Sequence, residues 1–282
     1  MTLLIHSMAE FSEIIVSAMG LAHVSRIAEI GAEYGGMTTI LADYAEKNDG
    51  DLFSIDPNPK PEFLDWVNAH ESVTHIAKPS LAAFPELHDI DLWTVDGDHN
   101  WFTVYHELKA IEAACGRDNK PLFAILHDVC WPAGHRDMYY APDAIPQEYR
   151  HDYCMDGGAR PGQSELVREQ GMRGMGHFGW ALHEGGERNG VKCAVVDFIN
   201  AAEAGGHQLA YAEIPAVFGL GILFDTNAPW AGPLSDFLIP YHDNPLLAKL
   251  EQNRLANYLT VLDWQDGVIH RPGAQTIAES GP

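Results

Sequence analysis

The sequence predicts an α/β protein: a doubly wound, mostly parallel seven-stranded sheet with a final antiparallel strand and a lid insertion. Three observations carry that expectation. Short apolar runs alternate with helical stretches from residue 26 to residue 129, the rhythm of a parallel sheet covered by helices on both faces. Polar residues stand at the carboxyl ends of successive runs, where such sheets bind ligands. Periodicity lapses over 130–190, then resumes as one helix and two strands.

Each element follows from its own spacing. Residues 8–23 repeat apolar side chains at helical intervals. RIAEIG (26–31) is a strand stopped by glycine, and GMTTILADYAEKN (36–48) is a helix. DLFSID (51–56) is the second strand, ended by the proline-rich PNPKP. PEFLDWVNAH (61–70) is helical, and VTHIAK (73–78) and DIDLWTVDG (89–97) are the third and fourth strands. A stripe through Phe102, Tyr105, Leu108 and Ile111 makes 100–115 a helix, with PLFAILHDV (121–129) the fifth strand. Residues 191–205 read as a helix, and 207–214 and 217–225 as paired antiparallel strands. The late amphipathic helix over 244–264 either packs on the domain or serves a homo-oligomer. The expected organisation is one domain over 1–282, a lid insertion at 130–190, and a C-terminal helix and tail over 240–282, whose last dozen residues are expected to be disordered.

Composition narrows the function. A chain of 282 residues, 46% hydrophobic, can bury a full α/β core. Lys and Arg number 17 against 40 Asp and Glu, a formal net charge of −23. Such a surface repels nucleic acid and anionic membranes and suits a small neutral or cationic substrate. No apolar run is long enough to span a bilayer, and MTLLIHSMAEFSEII lacks the basic start of a signal peptide, so a cytoplasmic location is expected. The four cysteines form no CxxC motif and read as reduced thiols.

The turn after the first strand, AEIGAEYGGMT, carries Gly31, Gly35 and Gly36 ahead of a helix N-terminus. Glycines there let backbone approach a ligand, and the helix end favours anionic groups. Asp56 ends the second strand, where a carboxylate can take both hydroxyls of a ribose. The spacing is not the GxGxxG of nicotinamide enzymes; the pair points to a nucleoside cofactor without naming it.

EIGAEYGG followed by SIDPNP resembles the cofactor segments of class I S-adenosylmethionine-dependent methyltransferases, with their Rossmann-like sheet. It is most similar to the metal-dependent catechol O-methyltransferase and macrocin-type sugar O-methyltransferase branch. The likeness runs over roughly residues 20–130 and the strand pair at 207–225. It implies that Glu29, Gly31 and Gly35 line the methionine end of S-adenosyl-L-methionine and that Asp56 holds its ribose. Ser80 would lie by the adenine, and Asp96 would border the same crevice.

The resemblance also gives meaning to VDGDHNW (95–101). In the metal-dependent members an aspartate ends strand four, an acidic pair ends strand five, and a basic side chain three residues after the first aspartate removes a proton. Those positions are Asp96, His127–Asp128 and His99 here. A cation bound to a hydroxyl lowers its pKa, and an imidazole of ordinary pKa near ~6.5 can accept the proton. His127 departs from the acidic pair. Imidazole suits Zn, Fe or Mn better than Mg, and without a metal His127 itself becomes a candidate base. Asp98 or His99 could instead cap the next helix. In the insertion, Trp131, Tyr139 and Tyr140 form either an aromatic wall for a planar substrate or a small core of their own. The expected activity is methyl transfer to a small-molecule oxygen, in natural-product tailoring. The alternatives are a metal-independent methyltransferase acting on O, N or C, and a non-methyltransferase enzyme or nucleoside-binding module on the same fold.

Overall fold

The computed structural model describes residues 7–267. The tail expected at the end of the chain lies outside the described residues. A 3-10 turn, Met8–Phe11, leads into Ser12–Leu21 (α1), then Arg26–Ile30 (β1), Thr38–Lys47 (α2), Asp51–Ile55 (β2), Pro61–Val67 (α3) and Val73–Ile76 (β3). Ser80–Ala83 (α4), a single turn that the periodicity does not predict, is followed by the expected Leu92–Val95 (β4), Trp101–Asp118 (α5) and Phe123–His127 (β5).

The insertion holds six strands of two or three residues: Met138–Tyr139 (β6), Tyr153–Cys154 (β7), Gly157–Ala159 (β8), Val167–Arg168 (β9), Met172–Arg173 (β10) and Gly179–Ala181 (β11). They pair as two small sheets, β10-β8-β9 and β6-β11-β7. Strands this short show no alternation in sequence, so 130–190 reads as structureless although it is folded. Then come Val191–Ala204 (α6), Leu209–Ile214 (β12), Leu220–Asp225 (β13), Ala231–Leu238 (α7) and Pro245–Gln265 (α8). α7 was not anticipated: at eight residues, with Gly232 and Pro233 near its start, it gives little helical signal.

The main sheet has the order β12-β13-β5-β4-β1-β2-β3. β1 through β5 pair in parallel, and β13 is antiparallel to both β5 and β12. The central runs are apolar throughout because both faces are covered. Ile27, Leu92, Phe123 and Ile125 join α1, α2 and α7 in one core. Ala28, Trp93, Ala124 and Leu126 join α5 and α6 in the other. The period of two thus sorts neighbouring residues into opposite cores.

From β1 the chain builds outward through β2 and β3, then returns to lay β4 on β1's other side. This reversal opens a crevice at the carboxyl ends of β1 and β4. Ile30 pairs with Val95, and Val95 with Leu126, so Gly31, Asp96 and His127 emerge side by side. The strand expected to begin at 217 begins at Leu220 instead. Phe218 and Gly219 have φ of 63° and 75°, and a Cβ at Gly219 would run into the Cys130 thiol. No helix among the described residues is long and apolar enough to cross a membrane.

Candidate functional site

The glycine turn is held from both sides of the crevice. Gly31 has φ 89°, and a Cβ there would collide with the Asp96 carbonyl. The close approach that requires glycine is therefore to the end of β4. Asp56 ends β2 and ties the same turn down: Oδ2 accepts from the amides of Ala32 (3.1 Å) and Glu33 (3.0 Å), and Oδ1 from Asn58 (2.8 Å). Glu29 is buried in β1. Its Oε2 accepts from Thr38 Oγ1 (2.8 Å) and Ser54 Oγ (2.6 Å), while Oε1 is buried without a partner. Burial pushes its pKa up to about 7 despite those two hydroxyls. Ser80 starts α4 and donates to Glu107 of α5.

Glu107 was missed by the sequence reading. It is 1% exposed, one Oε has no partner, and burial raises its pKa to about 8, with Ser80 opposing. An acid between Val104, Leu108 and Ile111 on an apolar helical stripe was the signal that could have found it.

VDGDHNW is more than a polar turn at a strand end. Asn100, not Asp98 or His99, caps α5, its side chain accepting from Thr103 N at 2.9 Å. Asp98 holds the Thr103 hydroxyl at 3.1 Å. His99 is thereby free to turn into the crevice, where Nε2 lies 2.9 Å from Asp128 Oδ2 and 3.4 Å from Asp96 Oδ1. His127 Nδ1 reaches the same two oxygens, at 3.0 and 3.1 Å. Asp128, which follows β5, is turned inward by a left-handed backbone, φ 62°. Among the described residues, Asp96, His99 and Asp128 are the grouping whose ligand atoms lie close enough together to hold a metal ion; it takes His99 where the resemblance implies His127, whose Nδ1 meets the same two oxygens.

The charges in this cluster depend on one another. Burial works against a charged His99, but the Asp128 carboxylate outweighs it and raises the His99 pKa well above its ordinary value. For His127 burial is likewise overcome, by Asp96 and then Asp128, giving a pKa of about 10. Burial opposes ionisation of Asp128, yet the two imidazoles hold its pKa well below the usual range. The imidazoles and the Asp128 carboxylate thus favour one another's charged forms. The same donor set fits a divalent cation, since imidazole ligates when neutral. His99 Nδ1 and His127 Nε2 are buried without partners.

Both histidines are buried, and they differ in their neighbours. The His127 ring meets the edge of Phe11 at 5.9 Å and stacks on Phe218 at 6.1 Å, with its side chain 1% exposed. His99 lies 6.0 Å from the ring of Tyr140, which is 52% exposed at the crevice mouth. Tyr139 points the other way. It is wholly buried, donates to Asp137 Oδ2 (2.7 Å) and accepts from His151 N (3.0 Å), so it belongs to the insertion's own core and not to a substrate wall. Trp131 is half-buried, packed between the main core and α8.

Two further residues that the sequence did not single out fix the insertion. Arg136, wholly buried, donates to the carbonyls of Ala181 and Ser164, each at 2.6 Å. Asp137 accepts from the amides of Trp101 (2.7 Å) and Gly190 (2.6 Å).

Residues 28–118 match the family described as Methyltransferase domain. The matched stretch is about a third of the chain. The match spans the glycine turn, Asp56, Ser80, Asp96 and His99, and ends before β5 and the insertion. Among solved structures, the O-methyltransferase from Bacillus cereus in complex with SAH is 11% identical. The alignment covers 78% of this chain and 81% of that one, with a TM-score of 0.46. The SAH-bound methyltransferase from Podospora anserina is 15% identical over 75% of this chain and 76% of that one, TM-score 0.45. No curated protein matches the sequence. The expected mostly parallel seven-stranded sheet with its antiparallel closing strand is what the chain forms.

Proposed function

We propose that the chain transfers a methyl group from S-adenosyl-L-methionine to an oxygen of a small molecule, with a divalent cation at Asp96, Asp128 and His127. The observation that carries this reading is the convergence of four ionisable side chains on the crevice beside the glycine turn. Polar groups buried in such a place, with two imidazole nitrogens left over, are arranged for a ligand rather than for packing. Bound S-adenosyl-L-methionine supplies an electrophilic methyl, and a cation supplies Lewis acidity that lowers the pKa of an acceptor hydroxyl.

The chain's own residues do the positioning. Glu29 offers an unpaired carboxylate oxygen to the methionine end, and Asp56 braces the turn and faces the ribose. Ser80, beside Glu107, borders the adenine. Asp96 and Asp128 place negative charge where the acceptor enters. His99, next to Tyr140, takes the proton in its neutral form, which it adopts once a cation rather than a proton balances Asp128, whereas His127 is enclosed by Phe11 and Phe218 and serves as a ligand. The insertion stands over this end of the sheet as a lid, with Tyr140 against the acceptor. Natural-product tailoring is the setting the resemblance suggests, and the acidic chain suits a small neutral or cationic acceptor in the cytoplasm.

Calorimetry with S-adenosylhomocysteine, before and after EDTA treatment, tests the reading. Binding that survives EDTA, with Mn²⁺ or Zn²⁺ binding separately and losing affinity in Asp128→Ala, is the expected result. NADH binding as tightly as S-adenosylhomocysteine defeats the cofactor assignment. Unchanged metal affinity in Asp128→Ala defeats the cation site.

A further inference from the structure

The longest helix, α8, has one face that no described residue covers. α8 turns Leu255 and Leu259 inward against Val217 and Phe218. On its other side Leu246, Leu250, Val261 and Trp264 are 66%, 57%, 54% and 71% exposed. At 3.6 residues per turn these four side chains fall within an arc of about 60°, so they form one stripe along the helix. Asn257, also exposed, lies within that arc and exposed Asn253 about 20° beyond its edge.

The stripe is symmetric about its middle. Leu246 and Trp264 stand at equal distances along the helix on either side of Leu255, Asn253 and Asn257 likewise, and Leu250 and Val261 within one residue of it. A surface that reads the same in both directions is self-complementary under a two-fold axis. We propose that α8 is the interface of a homodimer in which two copies pair antiparallel across Leu255. Leu246 then meets the partner's Trp264, Leu250 meets the partner's Val261, and Asn253 meets the partner's Asn257, amide to amide. A groove of about 400 Å³ lined by Thr260, Val261, Trp264 and Gln265 receives the partner's Leu246.

The symmetry and area of the stripe select a second copy as the occupant, and its lack of charge permits one. The chain carries −23, which opposes nucleic acid and anionic membranes, and a membrane-surface helix would need the basic polar face that α8 lacks. None of the six stripe residues is acidic, so two copies can approach along this line without like-charge contact. The four apolar side chains expose on the order of 450 Å² per copy. With the flanking polar residues a pair reaches roughly the 1,000 Å² of a specific but reversible interface. Association also steadies the site from behind. α8 holds the insertion through Arg160–Asp263 and Arg173–Asp266, and its inner face backs Phe218, the ring stacked on His127.

Sedimentation velocity of the full chain over ~1–100 µM tests this. The expected result is a concentration-dependent shift from the 31.1 kDa monomer to twice that mass, with Leu250→Glu weakening association at least ~100-fold while the circular dichroism spectrum stays unchanged. The double variant Asn253→Cys, Asn257→Cys should form a disulfide-linked dimer on mild oxidation where the parent chain does not. A monomer at every concentration overturns the proposal, as does a dimer indifferent to Leu250→Glu. A full chain that is monomeric and dimerises only when residues 268–282 are removed also overturns it, assigning the stripe to the chain's own end.

Discussion

The crevice and the root of the insertion each bury an aspartate, Asp128 and Asp137, and they satisfy them in opposite ways. At Asp137 the partners are fixed: two backbone amides and the Tyr139 hydroxyl. Arg136 beside it is taken up by backbone carbonyls. At Asp96 and Asp128 the partners are imidazoles, which can lose their protons, and each ring keeps one nitrogen unpaired. Buried charge held by backbone organises a fold. Buried charge held by titratable side chains can be exchanged for a ligand.

The largest effect should come from breaking the fixed site. Asp137→Ala strands the Trp101 and Gly190 amides and the Tyr139 hydroxyl, at about 3–5 kcal/mol of stability. Limited proteolysis should then cut within 130–190 while the main sheet stays protected. Uniform loss of the whole fold, or no new cutting, would remove the distinction between the two regions.

The second effect sharpens the exchangeable site. His99→Ala should lower kcat by ~10²–10⁴ and leave cation binding nearly intact, whereas Asp128→Ala should lose the cation. Loss of the cation in His99→Ala would place His99 among the ligands, as its 2.9 Å approach to Asp128 also allows.

The same contrast separates what was legible in the sequence from what was not. The exchangeable site lies at the ends of strands whose apolar runs announce them, so Gly31, Asp56, Asp96 and His127 could be placed by counting. The fixed site depends on pairings between residues far apart in the chain: Asp137 with Trp101 and Gly190, Arg136 with Ala181 and Ser164. No local pattern encodes those. Tyr139 was left between substrate wall and core for that reason, because only its bond to Asp137 decides. Phe218 was read as strand because its left-handed backbone, φ 63°, leaves no trace in hydropathy.

Glu107 tests a third kind of buried charge, an acid with one hydroxyl partner. Burial raises its pKa from 4.5 to about 8, so the folded state binds a proton the unfolded chain has released between those values. Its contribution is fully present below about pH 4.5 and falls away as pH rises towards 8. In urea titrations at pH 5.5 and pH 9, the native chain should lose on the order of 3 kcal/mol more than Glu107→Gln, which keeps an acceptor for Ser80. Parallel losses in the two proteins would mean that Glu107 is already ionised when folded.

The smallest effect concerns Asp56, which stands between the two classes. Its carboxylate is already engaged by the amides of Ala32, Glu33 and Asn58, like a fixed aspartate, yet it ends a strand at the crevice like an exchangeable one. Asp56→Ala should weaken S-adenosylhomocysteine by about 1–3 kcal/mol under either role, through a loosened turn or lost ribose bonds. A cycle with the 2′-deoxyribose analogue separates them. If Asp56 grips the ribose, the native chain favours S-adenosylhomocysteine over the analogue and Asp56→Ala erases that preference. If Asp56 only braces the turn, both ligands weaken equally and the preference persists. The first outcome puts Asp56 with Asp96 and Asp128 among residues built for a ligand; the second puts it with Asp137, holding backbone in place.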